Sequence, residues 1–115
     1  MECVFCSIIA GRESAEIVFE NDRVVVFEDH RPQAGIHLLV CPRTHYPTFL
    51  DAPPEEIGYL FKVCRKLAET LEVRSGFRLM INNGPQGGQI VNHLHVHFLS
   101  WVKSLETKKL TMMVD

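Results

Sequence analysis

The sequence predicts an α+β domain, an antiparallel sheet of about five strands with one long and one short helix packed on it. Three observations carry that prediction. Short runs of β-forming residues, at 17–20, 23–28, 36–41, 77–82 and 89–99, alternate with turn residues. Between Pro54 and Leu71 the apolar residues fall at i, i+3, i+4 and i+7, the period of a helix. And His93, His95 and His97 alternate with Leu94, Val96 and Phe98, which is the period of a strand.

The elements follow in order. Residues 3–10 are apolar and end at Gly11, a good helix stop, so a short N-terminal helix is expected. Residues 17–20 and 23–28 read as a hairpin joined by Asn21-Asp22. Residues 29–35 break the strand, residues 36–41 resume it up to Pro42, and 43–52 form a loop carrying His45 and Pro47. The long helix opens with Pro53-Pro54-Glu55-Glu56, proline at the first turn and acids at the positive end of the dipole. Its buried stripe is Ile57, Leu60, Phe61, Cys64, Leu67, Ala68 and Leu71; Tyr59 and Val63 are expected off it. Residues 77–82 alternate as a half-buried strand. Asn83 to Gly88 is a turn rich in backbone N–H groups, and 89–99 return as the histidine strand. No element is predicted for the tail, residues 100–115.

With 115 residues, 46% apolar and 23% charged, the chain reads as a single folded domain, residues 1–115, with a modest core. A net charge of −2 without a basic block argues against nucleic acid as a partner. The chain opens Met1-Glu2 with no long apolar run, so neither a signal peptide nor a membrane span is expected. The expected compartment is the cytoplasm, or the nucleus. Cys41 and Cys64 sit at packing positions. Cys3 and Cys6 have the C-x-x-C spacing of a metal or redox pair, and their place at the start of the chain, rather than after a strand, favours metal.

On a strand the three imidazoles share one face at ~6.6 Å intervals, while Leu94, Val96 and Phe98 face a core. A neutral imidazole is a good nucleophile toward phosphorus if its second nitrogen is held in the right tautomer, and His95 is the best placed of the three. Gly87 and Gly88 let backbone amides approach a phosphate, and His97 and His37 can donate to it or protonate a leaving group. The rival use is metal binding. A strand pair of histidines can hold a catalytic zinc; alternatively Cys3 and Cys6 can join His45 and His93 in a closed, structural tetrahedron.

The run His93-Leu94-His95-Val96-His97-Phe98-Leu99 resembles the His-φ-His-φ-His-φ-φ motif of the histidine triad superfamily, φ being apolar. Phe27-Glu-Asp29-His-Arg-Pro32-Gln-Ala, His37-Leu-Leu-Val, Pro42-Arg-Thr-His45, Asn82-Asn-Gly84 and Gly87-Gly88-Gln89 resemble its nucleotide-binding branch, in order, over about residues 3–99. The resemblance implies hydrolysis of purine nucleoside phosphoramidates, with adenosine monophosphoramidate as model substrate. It implies His95 as the nucleophile that takes the nucleotidyl group, with His37 and His97 around the phosphate. It places Asp29 on the ribose hydroxyls and Asn82 and the Gly88 amide on the phosphate. Val4, Phe5, Ile8, Phe27 and His30 match positions lining the base pocket. Cys3, Cys6, His45 and His93 match a structural zinc site, one per chain, and the family fold implies a homodimer whose sheet runs across both subunits.

Three departures stand out. Ile90 replaces a usual serine near the phosphate, Asn92 a usual aromatic and His30 a usual aliphatic residue; the tail also lacks the branch's glycine-rich ending. One missing transition-state donor can cost ~3 kcal/mol, roughly a hundredfold in rate. A dinucleoside polyphosphate hydrolase, or a weakly active nucleotide-binding regulatory module, are therefore the competing expectations.

Overall fold

The order of elements is α1 (Val4–Ile9), β1 (Ile17–Glu20), β2 (Val24–Glu28), β3 (Ile36–Pro42), a 3-10 turn (Phe49–Asp51), α2 (Pro54–Thr70), β4 (Arg78–Met80), a second 3-10 turn (Pro85–Gly87) and β5 (Val96–Ser100). The computed structural model describes residues 3–106 and 109–115; Met1, Glu2, Thr107 and Lys108 lie outside the described residues. The strands form one five-stranded antiparallel sheet in the order β1-β2-β3-β5-β4. Asn21 makes the β1–β2 turn: its side-chain oxygen accepts from the backbone N–H of Arg23 and Val24, both at 2.9 Å. No helix among the described residues is long and apolar enough to cross a membrane.

The pleat sends alternate residues to opposite faces, and both faces are covered. On one, Val24, Val26, Ile36, Leu38, Val40, Val96 and Phe98 meet Leu60, Val63, Cys64 and Leu67 of α2. Each such side chain, fully buried, contributes ~1.5–3 kcal/mol. On the other, Val25, Phe27, Leu39 and Cys41 meet Phe5 and Ile8 of α1 in a smaller cluster. Leu94, Val96 and Phe98 are buried in the larger core, as their alternation predicts.

Three expectations are corrected. Tyr59 and Val63 are buried, not exposed. The tail explains this at Tyr59: its hydroxyl donates to the Val114 carbonyl at 3.1 Å and accepts from Asn21 at 2.8 Å, while Leu110, Met112 and Val114 pack on the same core. The Leu110 N–H also donates to the Val18 carbonyl, laying the tail against the outer strand β1. The strand expected over 77–82 is only Arg78–Met80, and its residues are exposed rather than half-buried, because β4 is the sheet's edge. The histidine strand expected over 89–99 is also shortened: β5 runs Val96–Ser100, so His93 and His95 precede it. The β3–β5 pairing stops at Val40–Val96, although β3 continues beside β2 to Pro42. Before Val96 the backbone turns to other partners, the Leu94 N–H donating to the Tyr46 carbonyl and the His93 N–H to that of Val91.

Candidate active site and metal centre

The irregular lead into β5 divides the histidines between two sites. His93 turns toward Cys3, Cys6 and His45, whereas His97 turns toward His37 and Asp29, with the His95 ring packed edge-on against that of His97 at 4.9 Å between centroids.

In the first site Cys3 caps α1, its sulfur accepting the Cys6 N–H at 3.3 Å. His45 reaches in from the loop after β3. The His93 Nδ1 lies 3.4 Å from Cys3 Sγ, 3.6 Å from Cys6 Sγ and 3.2 Å from His45 Nδ1, and Cys6 Sγ lies 3.3 Å from His45 Nδ1. A zinc tetrahedron with ordinary Zn–N and Zn–S bonds has edges of ~3.3 Å between nitrogens and ~3.6 Å between nitrogen and sulfur. The observed spacings match those edges. The Pro42 carbonyl accepts from His93 Nε2–H at 2.9 Å, which leaves the Nδ1 lone pair for a metal. Two thiols and two imidazoles with correct spacing and orientation fit a closed zinc site; the C-x-x-C pair is half of it.

In the second site the hydrogen bonds fix each ring's tautomer. His95 Nδ1–H donates to the His93 carbonyl at 2.7 Å, so its Nε2 carries a free lone pair. The Gln33 N–H donates to His37 Nδ1 at 3.1 Å, so the proton of neutral His37 is on Nε2, from which it donates to His97 Nδ1 at 3.0 Å. His97 then holds its own proton on Nε2. Asp29, His37 and His97 are close enough to hold an ion, but His37 Nε2 is the protonated nitrogen and points its proton at His97. Asp29 takes the Arg31 N–H at 2.8 Å on one oxygen and lies 3.5 Å from His37 Nε2 with the other.

Burial keeps these rings neutral. It pushes His37 down, with Asp29 partly opposing, and pushes His95 down against the pull of the His93 carbonyl and Asp29. His97 is pushed down to about 4 by burial, then by His95 and His37. The site therefore presents one imidazole lone pair and one imidazole N–H at neutral pH, the equipment of nucleophilic displacement with a proton donor beside it.

The HIT domain family matches residues 10–103, most of the chain and both histidine sites apart from the cysteine pair. The chain belongs to that family. Among solved structures it is similar to a HIT family hydrolase from Legionella pneumophila, at 36% identity and TM-score 0.81, covering 86% of this chain and 92% of that one. It is similar to a Zn-bound histidine triad family protein from Mycobacterium smegmatis, at 32% identity and TM-score 0.73, covering 100% and 84%. A histidine triad nucleotide-binding protein from Candida albicans is 25% identical with TM-score 0.80, covering 99% and 87%.

The remaining residues of this HIT domain distribute as follows. Phe5 packs edge-on against His95, with ring centroids 5.0 Å apart, and against Phe27 at 5.2 Å; Ile8 is buried in the same cluster, whereas Val4 is exposed. His30 is exposed on the turn after β2. Asn82 donates to the Gly87 carbonyl at 2.9 Å, and Gly88 has φ +87 with Asn82 3.3 Å from where a Cβ would stand, so position 88 favours glycine twice over. The Gly88 N–H donates to the Pro85 carbonyl at 3.1 Å rather than standing free, so that bond must open or be shared before the amide meets a phosphate. Ile90 is 91% exposed and offers no hydrogen bond.

Gln89 carries a role that the sequence reading missed. It is buried; its Oε1 accepts from the Gly84 N–H at 2.8 Å, and its Nε2 donates to the carbonyls of Pro47 (2.6 Å) and Val91 (3.0 Å). It pins the glycine turn to the loop after β3. The available signal was a lone amide between a Gly-Gly pair and an apolar run.

Proposed function

We propose that the chain is a nucleotide-binding hydrolase that cleaves purine nucleoside phosphoramidates, of the adenosine 5′-monophosphoramidase type, through a nucleotidyl–histidine intermediate on His95. The observation that carries this reading is the 2.7 Å bond from His95 Nδ1–H to the His93 carbonyl, which leaves Nε2 as a lone-pair nucleophile. Nε2 attacks phosphorus while the His97 Nε2–H donates to a phosphoryl oxygen, and the P–N bond breaks as the amine leaves carrying a proton taken from solvent. His37, protonated on Nε2, holds His97 in the donor tautomer. Water then attacks phosphorus, releasing its proton to solvent, frees the nucleoside monophosphate and regenerates His95.

Asp29 accepts the ribose hydroxyls, Asn82 and Gly88 lie on the phosphate side, and Phe5, Ile8, Phe27 and His30 line the base. The relative from Candida albicans, named as nucleotide-binding, supports this choice of ligand. Cys3, Cys6, His45 and His93 hold one zinc per chain. That zinc is structural: the four ligands leave no open position for substrate. The outer edge of β4, with Phe77, Leu79 and Met80 exposed beside Trp101, supports a homodimer in which the sheet continues into a second copy. A cytoplasmic setting suits the free thiols.

His95→Ala tests the mechanism: turnover of adenosine monophosphoramidate should vanish while AMP binding remains measurable. Normal turnover by that variant would end the reading. The exposed Ile90 favours one second reading, a slow nucleotide-binding regulatory module, for which turnover stays low even at saturating substrate.

A further inference from the structure

The metal centre and the nucleophile are joined through one residue. The ring of His93 is a metal ligand on Nδ1 and a donor to Pro42 on Nε2, while its backbone carbonyl is the acceptor that sets the tautomer of His95. A second link runs through Phe5. Its ring packs edge-on against both His93 (5.8 Å between centroids) and His95 (5.0 Å), and it stands on α1 between Cys3 and Cys6.

His93 precedes β5, and its own N–H bonds locally to the Val91 carbonyl at 2.9 Å. The peptide that carries its carbonyl is anchored on the other side by the Leu94 N–H, which donates at 2.7 Å to Tyr46, the residue after the ligand His45. The position of that carbonyl therefore depends on the His45 loop and on the two ends of the His93 ring, and the metal centre joins that loop to that ring. We infer that the Cys3–Cys6–His45–His93 centre is a positioning device for His95. With all four ligands joined, the His93 peptide and the Phe5 ring are fixed, and with them the Nδ1–H tautomer and tilt of the catalytic imidazole. Once the Nδ1 end is released, the carbonyl drifts and the 2.7 Å bond weakens. A free imidazole prefers its proton on Nε2, the nitrogen that must be bare to attack, and an imidazole wholly in the wrong tautomer can lose ~10⁴ in rate.

The inference rests on His95 as nucleophile, but its test reads the ring directly. Protein labelled with ¹⁵N at histidine is compared zinc-loaded and chelator-stripped, with metal content and circular dichroism followed alongside. The loaded protein should show His95 wholly as the Nδ1–H tautomer, and the stripped, still folded protein a mixture with the Nε2–H form. Single-turnover nucleotidylation should fall about 10- to 100-fold, as for other losses of support around a reactive group. AMP affinity should change by less than about threefold, because the loss lies in chemistry rather than in binding. Cys6→Ser, which keeps three ligands, should give an intermediate share of the wrong tautomer. An unchanged Nδ1–H tautomer in stripped, folded protein overturns the proposal. So does outright unfolding on stripping, which assigns the centre to the fold as a whole. Neither result bears on whether His95 is the nucleophile, which His95→Ala decides separately.

Discussion

The two faces of the sheet are built from the same strands and do different work. The α2 face is apolar from edge to edge and is closed by a seventeen-residue helix and the tail. The α1 face carries a smaller apolar cluster under a six-residue helix, and the histidines and cysteines crowd its margin. Along residues 93–98 consecutive side chains alternate between them, Leu94, Val96 and Phe98 to one and His93, His95 and His97 to the other. The larger core is therefore on one face and the candidate site on the other, though single peptide bonds separate the residues concerned. Substitutions on opposite faces should be separable in their effects.

The sharpest separation is His95→Ala against its neighbour on the other face. Removing the proposed nucleophile should lower phosphoramidate turnover by ~10⁴-fold or more while leaving zinc content unchanged. Folding should shift by no more than about 1–2 kcal/mol, the scale of one hydrogen bond and some packing. Phe98→Ala should do the reverse. Its ring is fully buried and stacked on Phe77, with centroids 5.2 Å apart, so truncation should cost ~3–5 kcal/mol. That corresponds to a thermal midpoint lower by roughly 15 °C or more, with near-normal kcat in the cold. A Phe98 variant that folds normally but loses turnover would erase the distinction between the faces.

Acid should separate the faces next, because only the α1 face holds buried titrating rings. His97 is held near 4, by burial first and then by its histidine neighbours, whereas its ordinary value is 6.5. Between those values the unfolded chain takes up the proton more readily, so stability falls as pH drops from about 6.5 through about 4. The folded-state values of His37 and His95 move in the same direction. Thermal midpoints measured across that window should decline less steeply for His97→Gln than for the parent chain. Equal slopes would mean that His97 is not neutral in the folded state.

The two faces were also unequally legible in the sequence. The α2 face follows from periodicity, since burial against a helix imposes a 3.6 period on α2 and a period of two on the strands. Its one error concerns Tyr59 and Val63: Val63 packs in the core beside Leu60, Cys64 and Leu67, and Tyr59 is covered by an irregular tail whose Leu110, Met112 and Val114 show no period of their own. The α1 face is different. The residue types of its two sites were readable, and so was the Cys3–Cys6–His45–His93 grouping, which the structure brings together. The division of the histidines was not, because it depends on where the β3–β5 pairing stops and on single carbonyls, those of Pro42 and His93, that select each ring's free nitrogen. Backbone acceptors leave no mark on residue identity. The clamp at Gln89 was hidden for the same reason, as two of its three partners are carbonyls.

Ile90→Ser probes the rim of the α1 face with a smaller expected effect. An added hydroxyl beside the phosphate should raise kcat by up to ~100-fold, in proportion to how much transition-state donation is missing. Because Ile90 is 91% exposed, the change should leave stability within about 0.5 kcal/mol. No gain in rate would show that the absent hydroxyl does not limit this chain, and would weaken the reading of a slow regulatory module.

The smallest effect belongs to the α2 face. Tyr59→Phe deletes one hydroxyl and nothing else. That hydroxyl bonds to the Val114 carbonyl and to Asn21, and the Arg23 guanidinium lies 3.7 Å over the centre of the ring. Phenylalanine keeps the ring and most of the stacking, so the loss should be close to two modest hydrogen bonds, about 1–2 kcal/mol. The discriminating readout is local. Amide exchange at Leu110, whose N–H is held by the Val18 carbonyl of β1, should speed up as the tail lifts, while exchange in β3 and β5 stays unchanged. Turnover and zinc content should be unaffected, since the tail's contacts lie across the sheet from His95. If the variant slows catalysis, the tail is coupled through the sheet to the α1 face, and the two faces are less independent than their alternating residues imply.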